Sequence, residues 1–141
     1  MKILVLNGVN LNMTGLREPG IYGSETLDMI NDYIREYAAQ KGIEVSFFQT
    51  NFEGECVEQI HSLPGNFDGC VLNAGAWTHY SYAIRDAIAA VKVPVAEVHM
   101  SDISKREPFR RNSVISEVCV GTVKGLGKDS YLRGIDLISE C

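Results

Sequence analysis

Gly69-Cys70-Val71-Leu72-Asn73 is a short, fully apolar run, and its flanks decide the fold. Upstream, Glu55 to Leu63 has a helical pattern that stops at Pro64-Gly65. Downstream, Ile84, Ala87, Ile88 and Val91 recur at helical spacing. The same alternation continues outward from this strand between two helices. Lys2 to Asn7 reads as a first strand. Leu27, Ile30, Ile34, Tyr37 and Ala38 then mark a helix, with Ser24 its expected N-cap, Glu25 and Asp28 near its positive end, and Gly42 its stop. Ile43 to Gln49 reads as a second strand, Val93 to His99 as a fourth and Val118 to Val123 as a fifth. A last helix is expected from about Asp129 to Ser139, with Leu132, Ile135 and Ile138 inward. Alternating strands and helices imply parallel βαβ units joined by right-handed crossovers. Five strands in one domain over residues 1–141 predict an α/β, doubly wound, flavodoxin-like parallel sheet, with ligands bound outside the carboxyl ends of the strands.

Composition narrows the function classes. Hydrophobic residues make up 45% of the 141, enough for a core, and the net charge is −5 with no block of Lys and Arg. Nucleic acid and anionic membranes are therefore not expected partners. No apolar run is long enough to span a bilayer. The opening Met1 to Asn7 reads as a strand rather than a signal peptide, which predicts a cytoplasmic protein. Cys56, Cys70, Cys119 and Cys141 form no Cys-x-x-Cys pair, and the first three sit in apolar stretches. Neither a disulfide framework nor a thiolate zinc site is expected.

The chemistry-bearing residues gather at the predicted strand ends. After the first strand come residues 8–23, a connection far longer than the roughly 2–6 residues usual for such a loop. Gly15, Gly20 and Gly23 give it freedom and Pro19 restricts it locally. Asn73 to His79 lies just beyond the third strand. Glu97-Val98-His99-Met100-Ser101 ends the fourth, and Arg106, Pro108, Arg110 and Arg111 come next. Gly125-Leu126-Gly127 is only a fragment of a dinucleotide loop, no phosphate-binding Gly-Lys-Ser/Thr loop is present, and His79 and His99 lack a convincing set of metal co-ligands. No cofactor and no metal are expected.

Arg17, Arg106, Arg110 and Arg111 favour a small anion, since a guanidinium fork matches a carboxylate. Tyr22 can act as a base if Arg17, on the same loop, favours the tyrosinate. His99 suits a general acid, because Glu97, two residues away on a strand, shares its face and can orient or charge the ring. Asn10, Asn12 and Asn73 offer amides to a carbonyl or a developing enolate. Tyr33 and Tyr37 read as helix-face packing residues, and His61 as structural or solvated. These patterns point to a proton-transfer enzyme for a small anion. A different cofactor-free lyase or hydrolase on a carboxylated substrate, and a non-catalytic flavodoxin-like binding module, stay open on the same residues.

The sequence resembles type II 3-dehydroquinate dehydratases. The resemblance rests on Asn7-Gly8-Val9-Asn10-Leu11, residues 15–23 (Gly-Leu-Arg-Glu-Pro-Gly-Ile-Tyr-Gly), Asn73 to His79 with Ala83 to Ala87, Glu97 to Ser101, Arg106 to Arg110, and Gly121 to Gly127, in the family's order over nearly the whole chain. It implies a cofactor-free anti elimination of water from 3-dehydroquinate through an enolate. Tyr22 would be the base, activated by Arg17, and His99 the acid, supported by Glu97. Asn10 would hold a water against the enolate oxygen. Asn73, His79, Asp86, Met100, Ser101 and Arg110 would bind the substrate. It also implies trimers assembled into a homododecamer, with Asp86 reaching a neighbour's site, and a place in the shikimate pathway of aromatic amino acid biosynthesis. Val9 departs from the family's usual Pro, and Trp77, Tyr80 and Tyr82 stand where the family's residues are often different or smaller.

Overall fold

The computed structural model describes residues 1–16 and 24–141. Among them, five parallel strands, β1 (Lys2–Asn7), β2 (Glu44–Gln49), β3 (Gly69–Asn73), β4 (Val95–His99) and β5 (Gly121–Lys124), form one sheet in the order β2-β1-β3-β4-β5. Four α-helices cover it: α1 (Leu27–Gln40), α2 (Glu53–His61), α3 (Tyr82–Ala90) and α4 (Asp129–Ser139). This is the flavodoxin-like order predicted from the alternation. No described helix is long and apolar enough to cross a membrane.

Successive strand residues face opposite sides, so the sheet feeds two cores. Leu4, Leu6, Cys70 and Leu72 pack with Cys56, Ile60, Ile84 and Ile88 of α2 and α3. Ile3, Val5, Val71 and Val98 pack with Ile30, Ile34, Ile135 and Ile138 of α1 and α4. β1, β3 and β4 lie at the centre, and all but Lys2 of their residues are buried. Tyr33 and Tyr37 tie α1 to α4, donating to Asp129 Oδ1 and Asp136 Oδ1, each at 2.6 Å.

Several element boundaries differ from the sequence reading. The N-cap of α1 is Thr26, not Ser24: its hydroxyl accepts the Met29 N–H at 3.3 Å, because extended backbone at Thr26 aims it there. Glu25 is drawn away to Lys128 Nζ, 3.0 Å off, while Asp28 does sit in the first turn. Gly42 closes the helix as expected. Its φ of 69° lets its own N–H reach Ala39 O and that of Ile43 reach Ala38 O. α2 starts two residues early, at Glu53, and ends at His61. α3 ends at Ala90, with Val91 already extended. β4 begins at Val95 rather than Val93, since Pro94 has no N–H to give a ladder. β5 begins at Gly121, because Ser116–Val118 forms a 3-10 turn closed by Val118 N–H to Ile115 O and Cys119 N–H to Ser116 O. Of the last helix's expected inward residues, Leu132 is only half-buried, and Tyr131 is fully buried instead.

α4 lies close on the sheet through Gly134. A Cβ there would meet Val98 Cγ1 at 2.8 Å and Val71 Cγ1 at 3.0 Å. Both neighbours are β-branched, buried and stiff at χ1. Gly134→Ala should therefore destabilise the protein by about 1–3 kcal/mol through overpacking. This would override the roughly 1 kcal/mol that alanine gains over glycine in a helix. Chemical denaturation checks it, and a variant more stable than the parent would contradict the close packing of α4.

Candidate active site

A cavity of about 100 Å³ opens at the carboxyl ends of β1, β3 and β4, beside the point where strand order reverses between β1 and β3. Three segments form its walls. The first is the loop after β1 (Val9, Asn10, Leu11, Thr14), and the second is Asn73 with the 3-10 turn after β3 (Gly75, Ala76, His79). The third is the end of β4 and the segment beyond it (His99, Met100, Ser101, Ile103, Arg106, Arg110).

The first two walls meet at close range. A Cβ on Gly8 would fall 2.5 Å from Ala74 O, and one on Gly75, which has φ 62°, would fall 2.6 Å from Val9 O. Only glycine fits at either crossing. Asn10 has φ 68°, the one positive value among described non-glycine residues, in a region that Asn tolerates better than most. Its N–H donates to Asn51 Oδ1 at 2.8 Å. Gln49 Nε2 donates to Gly8 O at 3.2 Å and to Asn51 Oδ1 at 3.1 Å. The end of β2 thus braces the loop that presents Asn10.

Asn73 is held from beneath. The buried Tyr131 hydroxyl of α4 accepts from Asn73 Nδ2 at 3.0 Å and donates to Asn7 Oδ1 at 2.6 Å, while Asn73 Oδ1 accepts the Gly75 N–H at 3.2 Å. Burial pushes the Tyr131 phenol above its ordinary range, against a smaller opposing effect of the Asn73 bond. Tyr131 is therefore a neutral strut joining the ends of β1 and β3.

Glu97 and His99 form a buried dyad. His99 Nε2 lies 2.6 Å from Glu97 Oε2, and the side chain of Glu97 has no solvent exposure. Oε2 also accepts from Ser113 Oγ at 2.9 Å. Oε1 accepts from Ser116 Oγ at 2.6 Å and Thr122 Oγ1 at 3.0 Å. Burial alone would raise the Glu97 carboxyl. The hydrogen bonds of His99, Ser116 and Ser113, with the charge of His99, more than offset it and hold the group below its usual value. Glu97 is therefore an ionised acceptor. With Nε2 engaged, Nδ1 is the His99 nitrogen left for a molecule in the cavity.

His79 Nδ1 lies 2.7 Å from Asn112 O and donates to it, which leaves Nε2 as an acceptor. Burial lowers the His79 pKa below its ordinary 6.5. The Asn112 bond opposes this, and the nearby charges of His99 and Arg110 reinforce it. Arg110 is steadied by Glu107, Nε to Oε2 at 2.5 Å, and lies over the Phe109 ring. Two guanidinium groups, a neutral imidazole, two amides and a histidine backed by an ionised carboxylate can bind a small anion and exchange a proton with it.

The model for "Dehydroquinase class II" matches residues 1–139. The chain belongs to the class II dehydroquinase family. A 3-dehydroquinate dehydratase of Leptothrix cholodnii is 54% identical over 136 residues, covering 96% of this chain and 91% of that protein. The crystal structure of a type II dehydroquinase from Butyrivibrio crossotus superposes with a TM-score of 0.97 at 47% identity, covering 99% of this chain and 97% of that one. That of a type II dehydroquinase from Propionibacterium acnes gives 0.93 at 41% identity, covering 98% and 96%.

In this class II dehydroquinase the cavity brings together seven of the residues expected from the sequence, Asn10, Asn73, His79, His99, Met100, Ser101 and Arg110, with Glu97 behind His99. Arg106 joins them, whereas Arg111 turns away and donates its Nε to Arg106 O. Asn12 also turns away, since a two-residue step along a 3-10 turn changes face, and it lines a separate hollow with Gln49. Asp86 is exposed on α3, outside the cavity, and Arg85 pairs with Glu117 rather than with it. Arg17 and Tyr22 lie outside the described residues. Trp77 is buried in the core, while Tyr80 and Tyr82 are exposed. Gly125 and Gly127 serve as turns, donating their N–H groups to His99 O and Met100 O. No group of three or more His, Cys, Asp or Glu among the described residues is placed to hold a metal ion. Sequence reading did not single out Ser113, Ser116, Thr122, Tyr131, Gln49 or Asn51.

The charge states have two measurable consequences. Glu97→Gln should cost about 3 kcal/mol near neutral pH, because an amide cannot accept from all four donors. The folded carboxyl titrates below its ordinary 4.5, so its contribution is present above that value and is lost as pH falls through the depressed one. The stability gap between parent and variant should accordingly narrow in acid, and a gap constant with pH would contradict an ionised Glu97. The His79 ring should titrate below 6.5 by NMR, favouring the folded state above that pH and disfavouring it as pH falls; a midpoint above 6.5 would contradict its burial-driven neutrality.

Proposed function

We propose that this class II dehydroquinase is a 3-dehydroquinate dehydratase, a hydro-lyase that eliminates water from 3-dehydroquinate to give 3-dehydroshikimate. The observation that carries the reading is the Glu97–His99 dyad, which faces a cavity lined by Arg106 and Arg110, in a chain whose relatives bear that enzyme's name.

The substrate's carboxylate suits the arginines, with Asn73, His79 and the Met100–Ser101 segment holding its polar groups. Tyr22, as tyrosinate, removes the proton at C2, next to the C3 ketone. Arg17 lowers the pKa of Tyr22 and stabilises the charge that develops. Both roles come from the family resemblance. The electrons move into an enolate, whose oxygen faces a water held by Asn10. His99, in its imidazolium form, passes a proton through Nδ1 to the C1 hydroxyl, which leaves as water on the face opposite the departing C2 proton. Ionised Glu97 balances the imidazolium before transfer and orients the ring throughout. Solvent exchange then returns a proton to His99 and removes one from Tyr22.

The exposure of Asp86 on α3 suits a residue completing a neighbouring subunit's site in a homododecamer of trimers. The enzyme would serve the shikimate pathway to chorismate and aromatic amino acids in the cytoplasm, with no cofactor.

Purified protein mixed with 3-dehydroquinate should give the absorbance rise of an enone, and activity should survive borohydride treatment in the presence of substrate. No rise from a folded, assembled protein would reject the reaction, and loss on borohydride would point to a Schiff base. Tyr22→Phe should lower turnover about 10²–10⁴-fold, the range for removing a general base, with binding retained. Near-parental turnover would exclude Tyr22 as the base. Arg17→Ala should lower kcat far more than it raises KM, and a defect confined to KM would remove its role in activating Tyr22.

A further inference from the structure

The second layer behind the cavity is made of hydroxyl groups. Thr122 faces Glu97 across the β4–β5 pair as its register partner, so the two side chains adjoin on one face. Ser113 and Ser116 reach the same carboxylate from the segment before β5. None of the three lines the cavity.

Ser113 is the most constrained of them. Its Oγ accepts the N–H of Ile115 at 3.3 Å and that of Ser116 at 3.2 Å. Both lone pairs are occupied, so its proton can only be given, and it lies 2.9 Å from Glu97 Oε2. A protonated carboxyl could not donate back to it. Ser116, at 2.6 Å from Oε1, and Thr122, at 3.0 Å, complete a set of donors around a fully buried carboxylate, and Thr122 is itself exposed on the edge strand. Two other titratable groups feel this charge. Burial, with Glu97 adding, pushes the Cys119 thiol up to about 12, and His79 is held neutral as described. Both are therefore uncharged near neutral pH and place no second charge beside Glu97.

We propose that Ser113, Ser116 and Thr122 are positioning residues for the reaction: their hydroxyls hold Glu97 ionised, so that the Nε2 proton stays on the His99 ring and the imidazolium can deliver its Nδ1 proton to the leaving hydroxyl. The proposal rests on His99 being the acid. A carboxylate stripped of these donors binds the proton more tightly. The pair then loses its proton at higher pH and yields it less readily to the substrate. One proton leaves the imidazolium–carboxylate pair in each turnover, and the carboxylate stays unprotonated throughout.

The test uses the assembled full-length enzyme carrying Ser116→Ala with Thr122→Val, and Thr122→Ser as the conservative variant. The double variant should keep KM within about twofold, lose about tenfold in kcat, and shift the alkaline limb of the kcat profile up by about one pH unit, the shift corresponding to that tenfold change. Nitrogen-15 NMR of His99 should show the Nε2 proton drawn toward Glu97 in the double variant, and Thr122→Ser should behave as the parent. An unchanged pH profile and unchanged ring resonances, with only thermal stability lowered, would mean that the hydroxyls merely anchor the segment and would overturn the proposal. If the parent enzyme does not turn over 3-dehydroquinate, the functional reading fails by itself; the His99 resonances still decide the hydroxyl set, and their constancy overturns it.

Discussion

An ionised carboxylate with no solvent exposure, placed on an inner strand of a sheet, costs several kcal/mol unless every lone pair is used. Glu97 sits in that position on β4, and much of the architecture around it answers the cost. β5 must lie beside β4 in the register that sets Thr122 against Glu97. The chain before β5 must fold into a 3-10 turn so that two serines point inward. The irregular stretch between β4 and β5 is thus as constrained as the strands it joins. Arg85 of α3 secures it further by donating to Val114 O at 2.8 Å.

That constraint explains where the sequence was legible and where it was not. β1, β3 and β4 announce themselves because they are apolar and buried on both faces. β5 alternates between half-buried and exposed residues, so the apolar letters Val118 and Val120 pulled its apparent start too far back. The need for serines near Glu97 cannot be read locally. Ser24 and Thr26 are both good caps by composition, and only the backbone at Thr26 aims its hydroxyl correctly.

The site divides the same way. His99, Asn73 and Asn10 were visible because they are polar residues at strand ends, where the fold class already directs attention. Glu97 was visible because two residues along a strand is one face. Ser113, Ser116 and Thr122 stand 16, 19 and 25 residues from Glu97, and Tyr131 stands 124 residues from Asn7. Such partners are joined only by tertiary packing. Asn12 shows the converse: a residue type suited to the site, two positions from Asn10, that the 3-10 turn directs elsewhere.

Tyr131 also ties the order of synthesis to the order of assembly. The hydroxyl that joins Asn7 on the first strand to Asn73 on the third arrives with the last helix. A nascent chain can pair β1 with β2 and β3 while α4 is still inside the ribosome, but it then holds two strand-end asparagines without their shared partner. The cavity's floor closes only when the carboxyl-terminal helix docks. A protein lacking that helix would keep all five strands and still lack the strut that sets Asn73 in place, so an ordered site is a signature of α4 having docked.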